Sequence, residues 1–224
     1  MGKELRASRQ TTICEGLTMR HSLHAEGFGV RLRPVQMNDA AFIVWLRHQD
    51  YVKGRVGDSA PDAAGQQKWL ETYFQRAGDC YFMVETTGGI PLGTNGLYEI
   101  SGKNAEWGRY IVRPEIPAAL PSAILIFDLA FEKLELHELL ARCVSTNLTV
   151  HSLVKKCGFR QTETKFASQD IGGRPVDMVH FVLKAGDWPG CRRRLLPLAE
   201  FAETQIKEWE KHNHDAGTAV GVTR

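Results

Sequence analysis

The sequence is poor in cysteine, and its five cysteines are not set out for pairing or for metal. Cys14, Cys80, Cys143, Cys157 and Cys191 are odd in number and never stand as CxxC. That excludes a zinc ribbon, a thioredoxin-type redox pair and a dense disulfide framework, and it fits reduced thiols in a cytoplasmic protein. Cys80 and Cys143 fall inside apolar strand patterns, where core packing is the expected role. The eight histidines include no HExxH or similar spacing, so no metal is expected. His212 and His214 fall in a polar tail. A surplus of one charge is also missing: 28 basic residues face 26 acidic ones, a net of +2. On that balance no nucleic acid and no membrane surface is expected as partner. The one dense basic run, Arg192-Arg193-Arg194, reads as the solvated start of a helix. No stretch approaches the ~18 apolar residues that span a bilayer. The N-terminal residues lack the apolar segment of a signal peptide.

What is present is the balance of a globular chain: 43% hydrophobic and 24% charged over 224 residues, enough for one domain with extensions. Residues 1–27 are polar and without periodicity, and read as an N-terminal arm. Residues 28–190 hold the periodic segments. Val30, Leu32 and Val35 alternate with Arg31 and Arg33, which predicts a strand. Asn38 and Asp39 offer a cap for a helix over Ala40–His48. Tyr51–Gly65 is a long Gly-, Asp- and Pro-containing connection from which Val52, Arg55 and Val56 could reach a substrate. A helix to Arg76 follows, then three meandering strands over 81–84, 90–100 and 105–112. Gly93 and Gly96 in the second of these predict a bulge or the close approach of another backbone. Strands over 138–144, 159–166 and 176–184 and helices over 120–134 and 148–157 complete the domain. Residues 191–224 read as a C-terminal helix and a polar tail. Pro197 belongs in a first turn, so the regular helix is expected to begin near Leu196. That helix either caps the domain or joins a partner, which leaves a homodimer open.

The fold class is therefore mixed α/β (α+β): a mostly antiparallel seven-stranded central sheet, about four flanking helices, and a C-terminal helix. The stretch Ala105–Phe159 organises it. Strand, Pro-rich turn, apolar helix, strand and helix follow in turn, which is a βαβ crossover. Ligands of such sheets lie beyond the carboxyl ends of the strands, where Tyr110, Val112 and Asn147 would converge.

These residues also carry a family pattern. Glu106-Trp107-Gly108-Arg109-Tyr110 resembles the Glu-x-Gly-x-x strand of the GNAT acyltransferases. Val112, Pro114 and Glu115 resemble the start of that family's cofactor loop. Asn147, Leu153, Lys156, Gly158 and Phe159 fall on its Asn-x5-Leu-x2-Lys-x-Gly-Phe spacing. Gly173-Arg174, Asp177 and Asp187-Trp188 resemble the ending of the subgroup that includes ribosomal-protein-alanine and amino-sugar N-acetyltransferases. The likeness runs from about Val30 to Trp188.

The resemblance implies an N-acetyltransferase that uses acetyl-CoA as co-substrate. The acceptor would be a primary amine of a small molecule, such as a nucleotide-linked amino sugar, or a protein N-terminus. It implies that the strand ending at Ile111 and Val112 splays from its neighbour and binds the pantetheine arm, with Asn147 contributing its amide. Asn147 also stands where a helix N-cap would. Alternation puts Glu106, Gly108 and Tyr110 on one face. Glu106 is then the expected base, with a water held in the space over Gly108, and Tyr110 the expected positioning or donating group. Tyr98, Glu99 and His180 are further candidates. Cofactor phosphates would meet Ala118, Ala119, Leu120, Ser122 and Ala123 at a helix N-terminus, and Lys156 would reach the cofactor's far end. Two features depart from the pattern. Pro117-Ala118-Ala119-Leu120-Pro121-Ser122 stands where the family has glycines, and Val154 where it often has a tyrosine acid. A non-catalytic binding module and a transferase with another acyl donor stay open on those grounds.

Overall fold

Strand alternation and helical periodicity resolve into one twisted sheet covered on both faces. The computed structural model describes residues 21–213. The strands are β1 (Ala25–Gly27), β2 (Val30–Pro34), β3 (Cys80–Thr86), β4 (Pro91–Ser101), β5 (Asn104–Val112), β6 (Glu138–Val144), β7 (Arg160–Ile171) and β8 (Arg174–Lys184). Their order across the sheet is β1-β2-β3-β4-β5-β6-β8-β7. Only β5 and β6 run parallel, joined by the expected crossover. The helices are α1 (Ala40–Arg47), α2 (Ala63–Tyr73), α3 (Ala119–Asp128), α4 (Leu148–Lys156) and α5 (Trp188–Asn213).

The sheet has eight strands rather than seven. The additional one, β1, lies inside the stretch assigned to the arm and pairs with β2 through Ala25–Leu32 and Gly27–Val30. Three residues are too few to show a period. Residues 1–20, most of that arm, and the tail from residue 214 lie outside the described residues. Packing continues back to His21, whose ring lies 4.5 Å from that of Phe82 and whose Nε2 bonds the Tyr81 carbonyl at 3.1 Å. Burial holds the His21 imidazole below its ordinary pKa, against the opposing Tyr81 bond. The unfolded chain can protonate this ring more easily than the folded one. Stability is therefore present above about pH 6.5 and lost as pH falls through that value, by up to ~1.4 kcal/mol per unit. Urea unfolding between about pH 7 and 5 should show a shallower loss in His21→Gln than in the wild type; equal slopes would remove His21 from the account.

Two helix ends show how sequence becomes geometry. Gly158 adopts φ +95° and closes α4 with a Schellman motif: Phe159 N–H donates to the Val154 carbonyl and Gly158 N–H to that of Lys155. A side chain at Gly158 would collide with the Cys191 sulfur of α5. The second end differs from expectation. Helix α5 begins at Trp188, nine residues before Pro197, which lies inside it. Asp128 at the end of α3 fixes that early start. It accepts from the Trp188 indole at 2.8 Å and from Arg192 Nε at 2.9 Å. An internal proline costs about 3 kcal/mol, offset here by burying Trp188, Cys191 and Leu195 ahead of it. Leu198 and Phe201 are exposed.

The main core lies between the sheet and α3, α4 and α5, and includes Trp107, Phe127, Phe159, Phe181 and Trp188. A smaller core on the opposite face joins α1 and α2 to Tyr81 and Met83. Among the described residues no helix is long and apolar enough to cross a membrane. The described cysteines, Cys80, Cys143, Cys157 and Cys191, are all buried.

Candidate active site

One residue too many in β5 shapes the site. Thr94 pairs with Ile111 and Gly96 with Gly108, so two steps along β4 face three along β5. The extra residue is Arg109, bulged at φ +48°, with its carbonyl accepting from Thr94 Oγ1 at 2.8 Å. The bulge reverses the alternation beyond it. Glu106 faces the α1–α2 side, but Tyr110 turns with Trp107 to the α3 side, their rings 4.9 Å apart. The expected shared face of Glu106, Gly108 and Tyr110 is not formed.

The bulge coincides with a gap. The paired positions of β5 and β6 run from Asn104–Glu138 to Trp107–Ala141 and stop there, while β5 stays on β4 to Val112 and β6 stays on β8 to Val144. A cleft of about 880 Å³ passes through this opening. It reaches Trp69, Tyr98 and Glu106 on one side and Asn147, Val150 and Val154 on the other. Arg113 N–H bonds the Leu92 carbonyl on β4 at 2.9 Å. Strand alternation then turns the N–H groups of Val112 and Tyr110 the other way, toward the gap. Ile111 points back: its carbonyl lies against Gly93, and its side chain packs with Leu46 and Val52.

Glu106 is buried and held from both sides. Its Oε1 accepts from Tyr98 Oη at 2.5 Å and its Oε2 pairs with Arg142 Nη2 at 2.5 Å. Each carboxylate oxygen keeps a further lone pair. Glu106 beside it holds the Arg142 guanidinium above its ordinary pKa. Burial, then the Glu106 charge, push the Tyr98 phenol well above the usual range, so it stays protonated. The space over Gly108, expected to hold a water, is filled by this phenol. A Cβ on Gly108 would stand 2.5 Å from Tyr98 Oη. Arg109 forks onto Asp79, with Nη2 to Oδ2 at 2.7 Å, under the rings of Trp69, Tyr81 and Tyr98.

A bulged strand and a parted neighbour frame one through-going cleft. Residues 30–160, more than half of the chain, match the family model of the acetyltransferase (GNAT) domain. The chain belongs to the GNAT family. Among solved structures, a GCN5-related N-acetyltransferase from Brucella melitensis superposes with a TM-score of 0.69 at 18% identity, covering 82% of this chain and 90% of that one. Apo FdhC, a nucleotide-linked sugar GNAT, gives 0.65 at 23% identity over 81% and 99%. A variant of the spermidine N-acetyltransferase SpeG from Vibrio cholerae gives 0.63 at 19% over 73% and 98%. No curated protein matches the sequence significantly. At these identities the structures establish the GNAT fold.

Within this GNAT frame the remaining expected residues divide. Asn147 is nearly buried, caps α4 through Oδ1 to Val150 N–H at 3.4 Å, and lines the cleft, which leaves its Nδ2 donors for a ligand. Ala119 and Leu120 carry first-turn N–H groups of α3 that no intrahelical carbonyl reaches. Ala118 N–H bonds back to Ile116. Ala123 is core, and Ser122 is fully buried with Oγ on the Ala119 carbonyl at 3.0 Å. Tyr110 Oη donates to that same carbonyl at 2.9 Å, and burial pushes its pKa far up. Lys156 is exposed in the last turn of α4, away from the cleft lining. Val154 and Cys143 line the cleft at the gap, the Cys143 thiol pushed up to about 12 by burial. Of the long connection, Arg55 and Val56 line the cleft, whereas Val52 is core. Arg47, Trp69, Arg109 and Arg142 also line it; Arg109 is joined to Asp79 and Arg142 to Glu106, both distant in sequence. The signal that could have found Arg142 is its register, next to His180 across β8 and two residues past Leu140, the partner of Glu106.

Proposed function

We propose that this GNAT domain transfers an acetyl group from acetyl-CoA to the primary amine of a small molecule. The observation that carries the reading is the cleft itself. It joins a proton acceptor, Glu106, to inward N–H groups and Asn147 through the gap between β5 and β6. Acetyl-CoA supplies the acyl group as a thioester. The N–H groups of Tyr110 and Val112 and the amide of Asn147 hold its pantetheine arm in the manner of an added strand. The same strand N–H groups face the carbonyl oxygen, where negative charge grows in the transition state. Ala119 and Leu120 present their N–H groups, at the positive end of α3, to the pyrophosphate. Only these two remain for that task, because Pro121 has no N–H and Ala118 is already bonded.

Glu106 takes the amine proton. Tyr98 and Arg142 fix its carboxylate and leave it one lone pair on each oxygen. No hydroxyl stands at Val154, so the thiolate leaves as such and takes its proton from water. The cleft, bounded by Trp69 and by Gln169 of the β7–β8 hairpin, has room for a small amine. The test is a panel of primary amines offered with acetyl-CoA, with thiol release followed by colour and products by mass spectrometry. Stoichiometric N-acetylation of at least one amine is expected. Thiol release with no acetylated amine would show hydrolysis and defeat the reading.

A further inference from the structure

The charges lining the cleft do not cancel. Arg142 is paired with Glu106 and Arg109 with Asp79. Arg47 and Arg55 line the same cleft, and among the described residues neither forms an ion pair. Arg47 bonds only neutral oxygens: Nε to Ser59 Oγ at 3.0 Å, and Nη2 to the carbonyls of Gly57 and Asp58 at 2.9 and 3.1 Å. Its Nη1, with two N–H groups, has no partner among the described residues. The nearest acidic lining residue, Asp58, is exposed and offers Arg47 its backbone rather than its carboxylate. Burial, together with the like charge of Arg109, depresses the Arg47 pKa. A half-buried guanidinium held by three neutral acceptors, with both Nη1 N–H groups open, is placed to receive an anion.

We propose that Arg47 and Arg55 bind an anionic group, a phosphate or carboxylate, carried by the amine acceptor. The inference rests on the acetyltransfer reading for the word acceptor, but the anion site stands on Arg47 and Arg55 alone. It sets the substrate class: an amine bearing negative charge is drawn in and oriented, and a polyamine is repelled.

The test keeps coenzyme A saturating, so that any donor phosphate site is filled, and holds ionic strength constant. Inorganic pyrophosphate is titrated while thermal stability is followed, with glutarate in a second arm to separate phosphate from carboxylate and spermidine in a third. The wild type should be stabilised by at least one of the two anions and not by spermidine. Apparent affinity should fall about tenfold or more in Arg55→Gln and in Arg47→Gln, and not in Lys184→Gln. Arg55 is exposed, so its variant keeps the test valid if Arg47→Gln folds poorly. Equal responses in wild type and Arg55→Gln, no anion response at about 10 mM, or a stronger response to spermidine would each overturn the proposal. If coenzyme A shows no binding but the arginine-dependent anion response persists, the acetyltransfer reading falls and the anion site stands.

Discussion

Glu106→Gln is expected to slow acetyl transfer about 10²- to 10⁴-fold, the usual worth of a positioned general base. Acetyl-CoA affinity should change less than about twofold, because Glu106 lies on the α1–α2 side of the sheet and Asn147 and the α3 terminus on the other. Glutamine keeps the shape but cannot take a proton. It also disturbs what surrounds it. With its oxygen on Arg142, the amide nitrogen can donate to Tyr98 Oη, and the phenol hydrogen loses its acceptor, which costs about 1–3 kcal/mol of stability. Rates should therefore be compared where both proteins are folded. Tyr98→Phe separates the two roles: it removes the 2.5 Å bond to Oε1 but leaves the carboxylate, and should cost no more than about tenfold. Unaltered turnover in Glu106→Gln would remove Glu106 as the base.

The second large effect is on stability. Gly93 of β4 lies opposite Val112 of β5. A Cβ there would run into the Ile111 carbonyl oxygen and stand 2.8 Å from Val112 Cα. Both obstacles are backbone, so no side chain can swing aside. Gly93→Ala is expected to lose about 3 kcal/mol or more of unfolding free energy, the upper range for overpacking. Since Val112 turns its N–H into the gap, the displaced strand should also bind acetyl-CoA more weakly. An unchanged denaturation midpoint would contradict the close contact.

How far the sequence reaches follows from the range of the forces involved. The long strands and α1–α4 are legible because alternation and helical periodicity act over a few residues. Gly93 is legible too, since glycine in a strand interior signals a near backbone. What escapes is set over longer distances. The early start of α5 depends on Asp128, sixty residues before Trp188 in the chain. The short β1 has a partner but no period. The side taken by Tyr110 turns on a single bulged residue, Arg109, and an arginine at positive φ gives no warning in the sequence as a glycine would. Glu106 is readable as a candidate while its surroundings are not. Its partners, Tyr98 and Arg142, come from two other strands.

Acetyl-CoA binding tests the account at its centre, the gap between β5 and β6. Calorimetric titration should give a dissociation constant below about 100 µM, or ~5.5 kcal/mol. Asn147→Ala, which removes both the cap of α4 and the cleft-facing amide, should weaken it about tenfold. Absence of heat and of any thermal shift at millimolar acetyl-CoA would contradict the account and leave the chain a GNAT-fold binding module.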